Sequence, residues 1–267
     1  MSAVPLPPWW GVALSVVLVV VGGLLVARER LGLGRDMTVA SVRAAVQLIA
    51  VGAALKLLFE HTGLPGSLAW VTGMVLLAGR VAGGRAPGLR HATAIATASL
   101  GVGIVSTLGV LLGAQIIEDE PRVVVPIGGM IVTAAMQGVT LVLTRVRDEA
   151  LSQRSLVEAR LVLGLPGTAA FAPHERLALR SALIPGIDQT KVVGLISLPG
   201  AMTGLIIAGV SPVDAIRYQI VVMYMWLGAC AISGVTAARL ARGQLFDDAH
   251  RLRPIVVPPR RRGIMRV

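Results

Sequence analysis

Apolar blocks close to 20 residues long, separated by short polar stretches, dominate the chain. A helix rises 1.5 Å per residue, so about 20 apolar residues cross the ~30 Å hydrocarbon core of a bilayer. Seven blocks meet that length: Trp9–Ala27, Thr38–Phe59, Pro65–Ala82, Ala92–Ala114, Val123–Thr144, Val192–Val210 and Val213–Ala238. The pattern predicts an all-α, polytopic membrane protein with about seven spans. The first block has neither the basic start nor the cleavage site of a signal peptide and reads as a span, with Trp9 and Trp10 at an interface.

One long polar interval, 145–190, interrupts the series. Its apolar positions recur at helical spacing (Leu156, Leu161, Leu163; then Leu177, Leu179, Leu183), which predicts short helices lying across a surface. A transmembrane domain over 1–244 is expected, with this interval as its large loop. A basic, disordered tail is expected over 245–267.

Composition agrees with the pattern. Hydrophobic residues make up 55% and charged residues 15% of the 267, where soluble domains average about 45–50% and about 25%. The net charge of +11 raises nucleic acid as a partner, but aromatics for base stacking are only 3%. The cations instead follow the loops. Arg28, Arg30 and Arg35, then Arg80, Arg85 and Arg90, then the interval with Arg160, Arg176, Arg180 and Lys191, then the tail alternate with cation-poor segments such as Glu118–Glu120. The positive-inside rule then places the N-terminus outside and the C-terminus and the long interval inside. Lipid surrounds the spans in this orientation. The tail arginines read as solvated rather than as lipid contacts. Cys230 is the single cysteine, so no internal disulfide forms.

Soluble-type catalytic patterns are absent. There is no GxxxxGK[ST] loop, HExxH, CxxC or GxSxG, and His61, His91, His174 and His250 are far apart in predicted loops. No metal site and no bound cofactor are expected. Polar residues inside apolar blocks carry more information, because lipid makes them costly. Arg43 and Gln47, one turn apart, line or gate a path, or Arg43 snorkels to the interface. Gln137 sits deep in the fifth block, as a pathway residue or a helix–helix hydrogen bond. Asp188 and Lys191, three apart, can pair at the start of the sixth span, where Asp188 also suits a cap. Ser211-Pro212 with Asp214 and Arg217 reads as a helix start. Pro126 with Gly128-Gly129, and Pro199-Gly200, are expected to break the fifth and sixth spans and free carbonyls, with Met130 and Met202 beside them. The plain alternative is that both prolines kink packed helices.

Four segments bear a family resemblance: VRAAVQLIAVG at 42–52, PIGGMIVTAAM at 126–136, EARLVLG at 158–164, and the block from Arg180 to Val222 containing GIDQTKVVGLISLPGAMTGL. Together they resemble the FetB-type permeases, membrane subunits of an iron-export ABC transporter related to plant aluminium-tolerance permeases. The resemblance implies export of iron or a related metal, a separate FetA-type ATPase that holds the ATP, no enzymatic activity on this chain, and by analogy a homodimer of permeases. Glu158-Ala159 followed by Gly164 is similar to the start of the coupling motif of ABC import permeases, though the later spacing differs; with Arg180, these residues are the expected ATPase contact. A permease for another cargo, such as a sugar nucleotide, and an ATP-independent secondary transporter are the alternatives. The second lacks the deep carboxylate that proton-driven carriers use.

Overall fold

The computed structural model describes residues 8–29, 34–196, 198–247 and 249–256. The chain divides at Thr62/Gly63 into two units. The first holds α1 (Trp9–Arg28) and α2 (Gly34–His61). Leu18 and Leu48 are among many exposed apolar side chains there, as lipid-facing helices require. Arg43 and Gln47 lie on α2, both exposed. Arg30 and the tail arginines from Arg260 onward fall outside the described residues.

The second unit contains α3 (Leu64–Gly84), α4 (Ala92–Gly113), α5 (Pro121–Ser152), α6 (Arg154–Val162), α7 (Gly167–Val192), α8 (Gly200–Ile207) and α9 (Pro212–Leu245). No strand occurs among the described residues. Helices α2, α3, α4, α5 and α9 are long and apolar enough to cross a membrane. Small residues let them pack closely: a Cβ at Gly138 of α5 would meet Cys230 Sγ of α9 at 2.7 Å, and one at Gly128 would meet Val71 of α3 at 2.6 Å. Without a hydrophobic drive between helices in lipid, such close backbone approach supplies the packing energy. The expected start of α9 is present: Ser211 Oγ accepts the Asp214 N–H at 3.2 Å, and Asp214 pairs with Arg217 at 3.7 Å.

Three expectations require correction. The interval 145–190 holds one short surface helix of the expected kind, α6, and not a set of them. Helix α5 extends to Ser152, α6 is short, and α7 is one helix of 26 residues that runs antiparallel to α9. Glu175 of α7 bonds Arg242, a Cβ at Gly186 would meet the Trp226 ring at 3.1 Å, and Gln189 shares a cavity with Gln219. The sequence hid this because α7 carries Pro173, Pro185 and five charged residues. Each proline removes only one intrahelical bond, and packing against α5 and α9 offsets the loss.

The sixth predicted span, Val192–Val210, is likewise not one helix. Helix α7 ends at Val192, the chain leaves helical geometry, and α8 spans only eight residues, about 12 Å. Gly194 takes a left-handed φ of 83°, and Pro199, at φ −62° and ψ 147°, starts α8. Asp188 and Lys191 therefore occupy the last turns of α7 rather than a helix start. Their 2.8 Å pair is present and exposed, but the capping role for Asp188 is not, since the negative end of the helix dipole lies there. Lys191 suits that end.

The third correction concerns the tail. Phe246 and Leu252 are buried, Phe246 lies over Gly167, and Asp247 accepts the N–H groups of Ala249 and Arg251 at 3.0 and 2.8 Å. Residues 246–256 thus fold back on the bundle.

Candidate functional site

Helices α5 and α9 are 32 and 34 residues long, about 48 and 51 Å, well beyond the hydrocarbon core. Toward their C-terminal ends a polar network forms around buried His174 and Glu175. Arg160 Nη1 of α6 donates to Ala170 O at 3.0 Å and lies 3.2 Å from His174 Nε2. A guanidinium only donates, so Nε2 accepts, the proton sits on Nδ1, and Nδ1 donates to Glu149 Oε2 at 3.3 Å. The next residue, buried Glu175, accepts from Arg242. These five side chains fasten α6 and α7 to α5 and α9. His174 is thus a buried helical residue, not a loop residue as its sequence context suggested.

Beyond this network, α6 ends in an apolar, exposed knob: Val162 is 87% and Leu163 79% exposed. Gly164 follows at φ 87°, with its N–H bonded to Leu161 O and the Leu165 N–H to Arg160 O. That is a glycine-terminated helix end. A Cβ on Gly164 would touch nothing within 4 Å, so only its positive φ favours glycine there. Glu158 and Ala159 are exposed on the same short helix, Glu158 paired with Arg154 at 2.8 Å, and Arg180 is exposed on α7.

At the opposite end of α9, the break between α7 and α8 opens a cavity of about 570 Å³. Pro126, Gly129, Met130 and Thr133 of α5 form one wall. Gln189 of α7, Pro199 and Gly200 form another, and Gln219, Met223 and Trp226 of α9 a third. Met202, with Gln219, Pro199 and Met223, lines a neighbouring space of about 370 Å³. Non-helical backbone at membrane depth is tolerated only where protein buries it or a cavity receives it. The Pro199 break meets that condition.

The expected pathway residues divide accordingly. Pro126, Met130, Pro199 and Gly200 come together, and Met202 lies next to them. Pro126 does not break its helix, however, because α5 runs through it and loses one bond in its second turn. Gln137 is exposed on α5 rather than buried, on the face that Pro126, Met130, Thr133, Thr140 and Thr144 share. Arg43 and Gln47 belong to the other unit. Gln189, Gln219 and Trp226 escaped the sequence reading, as did the Glu149–His174 and Glu175–Arg242 network. Gln219 had a usable signal, as an amide inside an otherwise apolar block. Gln189 had none, since it lay in the supposed loop.

No group of His, Cys, Asp and Glu suited to a metal occurs among the described residues. Five helices long and apolar enough to cross a bilayer define a multi-pass membrane protein. Residues 9–246 match the uncharacterised protein family UPF0014, and the chain belongs to that family. It is 37% identical over 240 residues to the probable iron export permease protein FetB of Escherichia coli, covering 90% of this chain and 93% of that one. It is also 38% identical over 228 residues to the UPF0014 membrane protein STAR2 of Oryza sativa, covering 85% and 80%, and 35% identical over 240 residues to the protein ALUMINUM SENSITIVE 3 of Arabidopsis thaliana, covering 90% and 88%. No solved structure matches.

Proposed function

We propose that this chain is the membrane permease of an ABC transporter that exports iron or a related metal, driven by a separate ATPase of the FetA type. The observation that carries the reading is the break between α7 and α8, with its cavity, inside a bundle whose near relative is named an iron export permease. In this reading α7, the break and α8 together make the sixth of seven crossings, and a discontinuous helix at the centre of the path is a device that transporters use. The polar network end is cytoplasmic, as the cations of the loops imply. Helix α6 presents Glu158, Val162 and Leu163 to the ATPase, and the network behind it passes movement to α7 and so to the break. A second copy of the chain completes the transporter. The polar stripe Thr133, Gln137, Thr140 and Thr144, exposed at the first two and half-buried at the others, supports this, since such a face suits a partner helix or a water-filled path.

The test is co-purification from the native membrane followed by ATP hydrolysis measured with and without metal. An associated ATPase whose turnover rises with iron supports the reading; a permease that purifies free of any ATPase and transports without ATP overturns it. Single cysteines at Arg85 and Asp119, in a Cys230→Ser background, should label from opposite sides of the membrane.

A further inference from the structure

The charges of α9 mark depth in the membrane. Arg217 and Arg239 are both exposed, and no charged residue lies between them. That stretch is about 32 Å long, one hydrocarbon core, with its midpoint at Gly228. Helix α7 lies against it in the opposite direction. A Cβ at Gly186 would meet the Trp226 ring at 3.1 Å and Cys230 Sγ at 3.9 Å, and Leu183 lies against Gly234. Gly186 is therefore level with the midpoint. Asp188 and Lys191 follow about 3 and 7.5 Å further along α7, still inside the core. The sequence put this pair at the mouth of a span; the helix contacts put it near mid-membrane.

The pair looks away from α9. Gln189 and Thr190 line the cavities shared with α9, whereas Asp188 and Lys191 belong to neither wall. Their side chains are 57% and 68% exposed, on an open face with Ile184 and Ile187. Hydrocarbon penalises charged side chains strongly, so lipid does not cover this face. A dry protein contact fits no better. Lys191 Nζ can donate three hydrogen bonds and a carboxylate can accept about four. Yet the 2.8 Å bond between them is the only one either side chain makes among the described residues. A buried ion pair needs its remaining donors and acceptors satisfied. Water supplies them.

We infer that this face of α7 lines a water-filled part of the transport path at mid-membrane, and that Asp188 is the group a hydrated cation meets there, in exchange for Lys191. This rests on the permease reading and deepens it by naming a specificity-determining residue. Lys191 neutralises the carboxylate while the path is empty, and the arriving cation takes its place. One carboxylate is too few to hold a divalent ion, which takes about six oxygen ligands or more, so the ion keeps its water and is released.

Ile187→Cys, in the full chain with Cys230→Ser and in native membranes, places a thiol on this face one residue from Asp188. The probes are a cationic and an anionic methanethiosulfonate reagent of similar size. Both are expected to react. Asp188→Asn is expected to lower the cation-to-anion rate ratio at least threefold, and Lys191→Met to raise it at least threefold, because a fixed charge sets the local concentration of each reagent. The ratio is taken within each variant, so loss of folded protein does not move it. Mn²⁺ is expected to slow the cationic reagent in the parent and not in Asp188→Asn. A thiol that reacts with neither reagent but does react with lipid-soluble N-ethylmaleimide, or that only cross-links two copies, overturns the proposal. So does a ratio that neither charge substitution changes, or Mn²⁺ protection that is absent from the parent or survives in Asp188→Asn. ATPase co-purification is scored on the same variants. If it persists while the thiol stays inaccessible, the water-filled face is lost and the permease reading stands.

Discussion

Glu175 and Gln219 are buried almost equally, at 6% and 5% exposure, on two helices packed against each other. Glu175 has Arg242 as a partner, and its neighbour His174 is held from both ring nitrogens by Arg160 and Glu149. Gln219 belongs to the wall of a cavity, and its buried oxygen has no partner among the described residues. A buried polar group without a partner costs about 1–3 kcal/mol. One end of the α5, α7 and α9 assembly has been relieved of that cost by its own side chains, while the other retains it around an open space. The first end is closed by its own side chains, and at the second a buried acceptor is left without a partner among the described residues.

The strongest way to break this comparison is to remove a partner at the satisfied end. Arg242→Met leaves Glu175 buried without a counter-charge and is expected to destabilise the protein by about 3 kcal/mol or more, read as a fall in the unfolding temperature. Gln219→Leu, at equal burial, is expected to be neutral or to stabilise by about 1 kcal/mol, because it removes an unpaired acceptor, yet to lower transport at least tenfold. Equal stability losses in the two variants would erase the distinction.

Next in size is the close packing that carries both ends. Gly138→Leu would drive a side chain into Cys230 and is expected to cost about 1–3 kcal/mol. The same substitution at Gly101, where a Cβ meets nothing within 4 Å, is expected to cost little, so similar unfolding temperatures would refute the packing argument.

A smaller effect is expected on the exposed face of α6. Glu158→Arg and Leu163→Ser leave the buried network in place and should weaken ATPase association by about 1 kcal/mol each, a severalfold change in co-purified ATPase. Normal association in both would remove α6 from the coupling contact.

The smallest effect is pH dependence in the folded-back tail. Hydrogen bonds from the Arg251 and Ala249 backbone, with the Arg251 side chain, hold the Asp247 carboxyl below its usual range. A carboxyl depressed in the folded state stabilises above its unfolded pKa, and that contribution is lost as pH falls through the folded one. Protection of the Ala249 and Arg251 amides against hydrogen exchange should therefore drop in acid, and Asp247→Asn should remove the dependence.

Much of this arrangement was legible in the sequence, and the limits have physical causes. Helices α1, α3 and α4 match their apolar blocks to within about two residues, and the Ser211 cap was readable from Ser-Pro-x-Asp, since capping is local chemistry. Helix α7 was not readable. Its charges and prolines argue for a surface loop, and only tertiary contacts with α5 and α9 show that Glu175 has a buried partner and that Pro185-Gly186 makes room for Trp226. For the same reason Gln189 was passed over. A break at Pro199-Gly200 was expected inside one span; the structure instead has an interruption over 193–199 that joins a 26-residue helix to an eight-residue one.

The central claim, that the α7–α8 break opens a cargo-accessible cavity, is tested most directly by a cysteine at Ala201 in the Cys230→Ser background. Ala201 lines the cavity at the first turn of α8. Labelling by a small hydrophilic thiol reagent in membranes, slowed by the cargo or its chelate, is the predicted result. A cysteine at Ala201 that reacts only with lipid-soluble reagents, at a rate no cargo changes, would contradict it.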